Sequence, residues 1–334
     1  MSKVTIEDIS RHTGLSRGTV SRALNDRPDI SEQTKTRVLM ACRQLNYVPS
    51  HAARSLATGR RYAVAIVVDD LRSVFASCFT RGVIGRARAE HYAVHVTELA
   101  GDVSAALDHL KSLVNERVDT VLLANPLSTD LSREIAEAMN GRPLVAGSEI
   151  AGVPCDVFCP DYLESGRLTA RHIVRSSTPN VLYVHEDGPT MADQRLAGFR
   201  EVCRSQGVDP EQVTISVPSA DEHNADRLEA VRSQLANVQA IACTDDYLAV
   251  ETMLLCAREG RFPGRDIAIM GQGNELISSR IHPQLTSIDF CGEEIGHRAM
   301  DIALQRITKQ RQDAAQTTSV SPVLVTRAST RPVQ

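Results

Sequence analysis

Several features are missing from this chain of 334 residues, and each absence removes a class of protein from consideration. No apolar run approaches the roughly 18 residues that a membrane-spanning helix needs. The first residues, MSKVTIEDIS, lack the apolar stretch of a signal peptide, so we expect a cytoplasmic protein. The sequence contains no Trp and no CxxC pair, and we interpret its eight cysteines as small buried apolar residues in a reducing compartment.

Common catalytic and cofactor-binding motifs are missing as well. Gly271 and Gly273 are followed by Leu276 where GxGxxG requires another glycine, and neither GxxxxGK(S/T) nor GxSxG occurs. No nucleophile stands with a base at catalytic spacing. The sequence therefore predicts no enzyme activity, no cofactor and no metal site.

Charge is distributed unevenly along a chain whose length favours two or three globular domains. Residues 1–61 contain 11 Lys+Arg and 5 Asp+Glu, a charge of +6, whereas the rest contains 26 and 36, a charge of −10. A small basic segment on a large acidic body indicates that only the N-terminal segment binds an anionic partner.

The basic segment has the pattern of three short helices. Thr5 is predicted to cap a helix that ends at Gly14, Ser16 to cap a second helix, and Ser31 to cap a longer one that runs to about Leu45. Two short helices joined by a tight turn that contains a glycine form a helix-turn-helix. The alternative is a small protein-binding module.

The second helix is predicted to enter the major groove of DNA, because a helix fits that groove and its N-terminal residues reach base edges. Base contacts are expected from Arg17, Gly18, Ser21 and Arg22. Contacts with phosphates, which set position and not sequence, are expected from Thr19, Asn25, Ser31 and Thr34.

A separate short helix is predicted over 50–58, after the break at Tyr47-Val48-Pro49. A helix of this length is not stable alone in water. We therefore expect it to become ordered on DNA, with the exposed side chain of Leu56 as a wedge in the minor groove.

The phrases VTIEDISRHTGLSRGTVSRALN and LNYVPSHAARSLATGR together resemble the DNA-binding head and hinge of the lactose-repressor family of bacterial transcription regulators. The resemblance implies a homodimer on a near-palindromic, double-stranded DNA operator. The expected DNA contacts are Thr5, Ser16, Arg17, Gly18, Thr19, Ser21, Arg22, Asn25, Ser31, Thr34, Tyr47, Ala53 and Leu56. The predicted domains are a helix-turn-helix domain over 1–49, a hinge helix and linker over 50–61, and a two-lobed ligand-binding and dimerisation domain over 62–334.

From Tyr62 onward, short apolar segments alternate with helical patterns. The strand candidates are Ala63–Val68, Ala93–Val96, Thr120–Ala124, Leu144–Ala146, Val181–His185, Val213–Val217, Ala240–Cys243 and Ile267–Met270. Such alternation predicts parallel βαβ sheets. The expected fold is a small all-α helix-turn-helix head with a hinge helix, followed by an α/β body of two doubly wound parallel-sheet lobes. Ligands of such sheets bind beyond the carboxyl ends of the strands, and a cleft between two lobes is a common site.

The resemblance continues through DYLESGRLTARHI, DQRLAGFREV, CTDDYLAVETM and HPQLTSIDF. It implies a body similar to periplasmic sugar-binding proteins, with a small effector between the lobes. Arg195 matches a cleft arginine, whose planar fork suits a carboxylate, a phosphate or vicinal hydroxyls, and a surface ion pair is the alternative. The expected effector contacts are Phe75, Asn125, Asp161, Arg195, Asp245, Gln272 and Asn274. Helix capping is the alternative for Asp161, and Asp246 is expected to cap the helix that follows Asp245.

One departure from the family concerns the segment Gly271-Gln272-Gly273-Asn274-Glu275. Many members of the family have Gly-aromatic-Asp-Asp here, and the first Asp binds ligand hydroxyls, whereas this chain has Gly273. The candidate substitutes are Gln272, Asn274 and Glu275, and a simple turn is the alternative. A sugar phosphate, a sugar acid or another anion is therefore favoured over a neutral hexose.

The sequence thus predicts a ligand-responsive transcriptional regulator. Repression is the commoner mode in the family, and activation stays open. A dimer is expected because no heptad helix follows the last strand. The rival hypothesis is an α/β enzyme or sugar-binding protein with an accessory head.

Overall fold

A computed structural model of the chain describes residues 4–24, 27, 29–47, 58–99, 103–116, 118–125, 127–148, 150–174, 180–186, 192–218 and 227–330. Its contacts divide the chain into two compact units, Met1–Tyr62 and Ala63–Gln334, which we call the head and the body. The predicted boundary at residue 49 lies outside the described residues, as do Asn25, Ala53, Leu56 and all of the predicted hinge helix except Thr58.

The head contains the three predicted helices, which are α1 (Ile6–Thr13), α2 (Arg17–Leu24) and α3 (Glu32–Gln44). The predicted end of α1 is confirmed, because Gly14 adopts the left-handed conformation that ends helices, with φ of 67°. Thr5 begins α1 as expected, since its backbone N–H donates to Asp8 Oδ2 at 2.9 Å.

A small apolar core joins these helices. Ile9, Val20 and Val38, one from each helix, are fully buried in it, and Leu15 and Leu24 pack against it. Their contacts explain how a segment of this size folds, because each helix buries one apolar face against the other two.

The described part of the body contains twelve strands in two six-stranded sheets. They are β1 (Ala63–Val68), β2 (Ala93–Glu98), β3 (Thr120–Leu123), β4 (Leu144–Ala146), β5 (Asp156–Pro160), β6 (Val181–Glu186), β7 (Thr214–Val217), β8 (Ala240–Cys243), β9 (Ala268–Gln272), β10 (Thr286–Asp289), β11 (Thr317–Val320) and β12 (Val323–Val325). The first sheet has the order β11-β5-β4-β3-β1-β2, and the second has the order β12-β10-β9-β8-β6-β7. β12 pairs antiparallel with β10, and the other pairs are parallel.

Helices cover these sheets and connect their strands. They are α4 (Val74–Ala89), α5 (Val103–Glu116), α6 (Thr129–Met139), α7 (Tyr162–Ile173), α8 (Ala192–Ser205), α9 (Glu229–Gln234), α10 (Asp246–Arg258), α11 (Leu276–Arg280) and α12 (Gly292–Ile307). The two doubly wound lobes predicted from the sequence are confirmed. All eight strand candidates form strands, with ends that differ by at most two residues.

In its described residues, the chain passes between the two lobes three times. It leaves the first sheet after β5, returns to it after β10 through α12, and leaves it again between β11 and β12. The first two crossings, at residues 160–162 and 289–292, lie at the carboxyl ends of β5 and β10, which is the edge where ligands of parallel sheets bind.

A pair of interlocking glycines brings two helices together in each lobe. An added Cβ at Gly82 of α4 would lie 2.0 Å from the carbonyl oxygen of Glu293, and one at Gly296 of α12 would lie 2.0 Å from that of Phe79. In the second lobe, α7 and α8 meet in the same way through Gly166 and Gly198. Only glycine permits such close backbone contact.

The cysteines match their prediction in part. Cys42, Cys155, Cys203, Cys243 and Cys256 are buried. Cys78, Cys159 and Cys291 are only half-buried, so the expectation that all eight are buried is wrong for these three.

Candidate nucleic-acid interface and effector site

Helix α2 presents two arginines to solvent, as the base-reading prediction requires. The side chain of Arg17 is 71% exposed, and that of Arg22 is 53% exposed. Each makes one surface ion pair within the head, Arg17 with Glu7 and Arg22 with Asp29, both at 3.2 Å. Surface pairs of this kind contribute little to stability, so both guanidinium groups are available to an anionic partner.

The smaller residues of this face differ in their exposure to solvent. Gly18 is exposed and Ser21 is half-buried. Ser16 and Ser31 act as helix caps, because Ser16 Oγ accepts from the backbone N–H of Thr19 at 3.1 Å and Ser31 Oγ accepts from that of Thr34 at 3.3 Å. The predicted phosphate contacts Thr19, Ser31 and Thr34 thus lie at the starts of helices, and their contacts with DNA stay predictions.

Two other expected DNA contacts have partners in the head. Thr5 donates its hydroxyl to Asp8 Oδ2 at 2.8 Å. Tyr47 is half-buried and packs against the apolar core of the head.

We expect Arg22→Ala to weaken binding to the operator by about 1–3 kcal/mol and to relax preference at one base pair of each half-site, because a guanidinium can donate two hydrogen bonds to guanine. The measurement is binding to an operator and to random duplex at one salt concentration. Arg43→Ala, which removes an exposed charge from α3, is the control and should weaken both to a similar extent. An equal loss on operator and random DNA for Arg22→Ala would make it a phosphate contact.

In the body, Arg195 lies at the carboxyl edge of the second sheet. Its Nη1 atom donates to the carbonyl oxygen of Thr244, just after β8, at 2.6 Å. The guanidinium carbon lies 5.9 Å from the ring centre of Tyr162 and 5.8 Å from that of Phe290. These two aromatic residues lie at the first two crossings between the lobes. Because the guanidinium of Arg195 lies near both rings, this residue of α8 is located at the junction of the lobes.

One edge of this guanidinium has no protein partner in the described part of the chain. Arg195 Nε is buried without a hydrogen bond, and its Nη2 atom makes neither a hydrogen bond nor an ion pair with a described residue. The surface ion pair considered as an alternative is therefore not formed among those residues. A buried N–H without a partner has a high energetic cost, which a ligand oxygen would remove.

The first of the two neighbouring acids after β8, and not the second, is the helix cap. Asp245 caps α10, because its Oδ1 accepts from the backbone N–H of Leu248 at 2.7 Å. The expectation that Asp246 is the cap is wrong. Asp246 is fully buried, and it accepts from Ser287 Oγ at 2.6 Å and from the backbone N–H of Glu275 at 2.7 Å.

Burial raises the pKa of both carboxyl groups. For Asp246 it raises the pKa to about 6, against the lowering effect of the hydrogen bonds from Ser287 and Glu275. For Asp245 burial also dominates, while Arg195 acts in the opposite direction. Arg195 and Asp245 lie at one edge of the sheet, because Arg195 Nη1 binds the carbonyl of Thr244, the residue directly before Asp245.

Three expected effector contacts come from the first lobe or from its boundary. Asn125 follows β3, and its Oδ1 atom is buried without a partner among the described residues. Asp161 caps α7, because its Oδ1 atom accepts a 2.8 Å hydrogen bond from the backbone N–H of Glu164. Helix capping was the alternative considered for this residue. Phe75 is half-buried beside Phe79, with ring centres 6.4 Å apart.

The remaining two expected contacts are engaged with protein atoms. Gln272 is 1% exposed and lies between Ser165 and Tyr183. Asn274 donates from Nδ2 to Asp289 at 2.8 Å and accepts from Arg327 at Oδ1. Their roles toward an effector stay predictions.

Sequence reasoning missed the two rings that flank Arg195. Tyr162 and Phe290 occur in the phrases DYLESG and SIDF, each directly after a strand or its cap. An aromatic residue at the end of a parallel strand was the available signal, but the pattern does not show that two strands of different lobes place their rings beside one arginine.

No described helix is both long and apolar enough to cross a membrane. Within the same described ranges, no group of three or more His, Cys, Asp or Glu residues could hold a metal ion.

Two family models match the chain. Residues 5–50 match bacterial regulatory proteins of the lacI family, and residues 170–330 match the periplasmic binding protein-like domain. The chain belongs to the lacI family of bacterial regulatory proteins. Membership agrees with the helix-turn-helix head and the two-lobed body, and identifies the chain as a DNA-binding regulator of transcription.

Members of the family with curated names align along almost the whole chain. The ribose operon repressor of Escherichia coli is 27% identical, over 97% of this chain and 99% of the repressor. The transcriptional repressor PurR of Mannheimia succiniciproducens is 25% identical, over 98% and 99%. Among solved structures, the lac repressor dimer bound to operator has a TM-score of 0.76 at 22% identity, over 99% of this chain and 100% of that one. The complex of the regulator CelR with cellobiose has a TM-score of 0.69 at 22% identity, over 98% and 100%.

Proposed function

We propose that this lacI-family regulator is a repressor that binds a near-palindromic operator as a homodimer, and that an anionic, carbohydrate-derived effector controls its affinity for DNA. We further propose that it catalyses no reaction. The relatives named as the ribose operon repressor and the transcriptional repressor PurR support the regulatory role. Activation is the second mode that the family resemblance leaves open.

The choice of an anion rests on the Nε/Nη2 edge of Arg195, which has no hydrogen-bond partner among the described residues. Nη1 is held by the carbonyl of Thr244, and the two remaining nitrogens, Nε and Nη2, each direct an N–H along one side of the guanidinium. This side matches two oxygens of a carboxylate or phosphate in a bidentate pair. The rings of Tyr162 and Phe290 restrict the orientation of the guanidinium. The edge therefore favours a planar or tetrahedral anion over a neutral sugar.

A ligand between the lobes would also provide a hydrogen-bond donor to a buried side chain of the first lobe. The buried Oδ1 atom of Asn125 needs a donor. Because a carbohydrate-derived anion carries hydroxyl donors and anionic oxygens, one molecule of this class can serve both Asn125 and Arg195.

Exposed apolar side chains in the body support a dimer. Tyr247, Leu254 and Leu276 are each more than half exposed on α10 and α11. In a monomer such residues would stay in water, whereas a second copy could bury them.

The effector class can be tested by thermal unfolding of the full chain with glucose, glucose 6-phosphate and gluconate. We expect at least one of the two anions to stabilise the chain, because a ligand at one hundred times its dissociation constant contributes about 2.7 kcal/mol. The same anion should change the affinity for an operator selected from a pool of random duplexes. Equal stabilisation by glucose, or no effect of any probe, would contradict the proposed effector class.

A further inference from the structure

One of the two exposed arginines of α2 is held at two points by the head itself. Arg22 Nη1 pairs with Asp29 Oδ2 at 3.2 Å, and Arg22 Nε donates to the carbonyl oxygen of Gly18, one turn earlier, in a long hydrogen bond of 3.4 Å. Arg17 differs, because the pair with Glu7 is the one contact that its guanidinium makes among the described residues. The orientation of the Arg22 guanidinium is thus restricted at two of its three nitrogens.

The acid that holds Arg22 lies in the connection between α2 and α3, which is anchored on both sides. The backbone N–H of Arg27 donates to the carbonyl oxygen of Arg22 at 3.1 Å, and that of Ile30 donates to Arg27 at 3.2 Å. Ile30 packs against the apolar core of the head, and the next residue, Ser31, caps α3. The backbone of Asp29 is therefore held at a place from which its carboxylate reaches α2.

The contacts within the head leave one end of the Arg22 guanidinium for DNA. Among the described residues, Nη2 makes neither a hydrogen bond nor an ion pair, and Nη1 carries a second hydrogen. A bidentate contact with O6 and N7 of guanine needs two parallel N–H groups, which these two nitrogens supply. Because the guanidinium is already oriented, less side-chain freedom is lost when the contact forms.

An acid on this face has an electrostatic cost. A carboxylate beside the reading helix repels the phosphates of DNA and weakens binding to every sequence alike. The pair of Asp29 with Arg22 adds little to the stability of the head, because both side chains are more than half exposed. Orientation of Arg22 is therefore the role that the geometry leaves for this acid.

We propose that Asp29 is a positioning residue for sequence reading, whose carboxylate orients the guanidinium of Arg22 so that its Nη1/Nη2 end meets a guanine of the operator. The proposal rests on the predicted base contact of Arg22 and on operator binding. It adds that preference for this base pair depends on an acid that does not itself contact DNA. Random DNA gains nothing from a fixed orientation, because it offers phosphates in many directions.

The test measures binding of the full chain to a selected operator and to a random duplex at one salt concentration. We expect Asp29→Ala to lower the ratio of operator affinity to random-duplex affinity by about three- to tenfold, which corresponds to the ordering of one long side chain. Asp29→Asn keeps an acceptor for Arg22 Nη1 and should retain most of the ratio. Affinity for the random duplex should rise in both variants, because a charge that repels phosphates is lost.

Glu32→Gln is the matched control, because Glu32 lies on the same head, is 86% exposed and pairs with Lys35 at 2.9 Å. It removes one negative charge, as the Asp29 variants do, so affinity for both duplexes should rise by the same factor. A double-mutant cycle gives a second readout. Arg22→Ala combined with Asp29→Ala should lower the ratio no further than Arg22→Ala alone, and each variant should lose preference at the same base pair.

The outcomes separate this proposal from those on which it rests. An unchanged ratio in Asp29→Ala, with a lower ratio in Arg22→Ala, would overturn the role of Asp29 and keep the base contact of Arg22. Loss of preference at a different base pair, or additive losses in the double variant, would make Asp29 a separate DNA contact and overturn its positioning role. Equal losses of Arg22→Ala on both duplexes would overturn the base contact and this role together. Equal affinity of the wild-type chain for every duplex would overturn operator binding itself.

Discussion

Arg195→Ala is expected to abolish the response to the effector while operator binding without effector stays within a few-fold of wild type. The variant removes the Nε and Nη2 donors proposed to bind the anion, and truncation of one partner in a buried, hydrogen-bonded charge pair costs about 2–5 kcal/mol. Arg195 belongs to the body and contacts Thr244, Tyr162 and Phe290, so the head keeps its own contacts with DNA. A titration of the stabilising anion against the operator complex measures the response.

Two further variants show whether the fork or only the charge of Arg195 matters. Arg195→Lys keeps the charge but cannot donate two parallel bonds, so it should recover only part of the affinity. Arg200→Ala, one to two turns further along α8 and paired with Glu211 at 3.1 Å, is the matched control and should respond normally. A normal response in Arg195→Ala would remove this residue from the site.

Two of the strands that are absent from the candidates differ in composition from the strands that the sequence predicts. β1 and β8 are continuous apolar segments, AVAIVV and AIAC, and both are completely buried inside their sheets. β10 and β11, TSID and TTSV, are largely polar and were not predicted. β11 lies at the edge of the first sheet, where one side is left without a neighbouring strand, so the apolar signal of a central strand is weak there.

A pattern of alternating strands and helices does not show how the two lobes are connected. The sequence predicts two lobes, but the three crossings follow from which strands pair. β5 pairs with β4 and β11 in the first sheet, although α7 directly after it packs against α8 in the second lobe. Such pairing depends on contacts between residues far apart in the chain, which local periodicity does not contain.

In the site, the structure brings Arg195 to the carboxyl edge of the second sheet, and its contact with an effector stays a prediction. The capping roles of Asp245 and Asp246 depended on a shift of one residue. β8 ends at Cys243, so Asp245 has the extended backbone of a capping residue. Asp246 then falls in the first turn of α10 and faces Gly271, whose added Cβ would lie 2.2 Å from Asp246 Oδ1. Which of two adjacent acids is the cap is decided by where the strand ends, and strand ends are the least certain part of a sequence-based prediction.

Gly166→Ala is expected to lower both stability and effector affinity, because Gly166 lies where the backbones of α7 and α8 are in close contact. An added Cβ at Gly166 would lie 1.9 Å from the carbonyl oxygen of Arg195 and 2.9 Å from the backbone nitrogen of Phe199. Both contacts are backbone atoms of a helix, so no side-chain rotation relieves them and the two helices must separate. Overpacking of this kind costs about 1–3 kcal/mol, and we expect a loss of stability at the upper end of that range.

Separation of the helices would also move Arg195 away from Tyr162, because these two residues lie on opposite sides of the interlock. We therefore expect Gly166→Ala to weaken effector binding at temperatures where the body is still folded, so that one methyl group lowers both stability and affinity. Urea unfolding and effector titration of the same variant measure the two effects. Gly85→Ala in α4 is the control, since an added Cβ there meets nothing within 4 Å, and it should stabilise the body by about 0.4–1 kcal/mol through the helix preference of alanine. Wild-type affinity in a destabilised Gly166→Ala would mean that the interlock holds the lobe together without positioning Arg195, because α8 would then have moved without changing the geometry of the site.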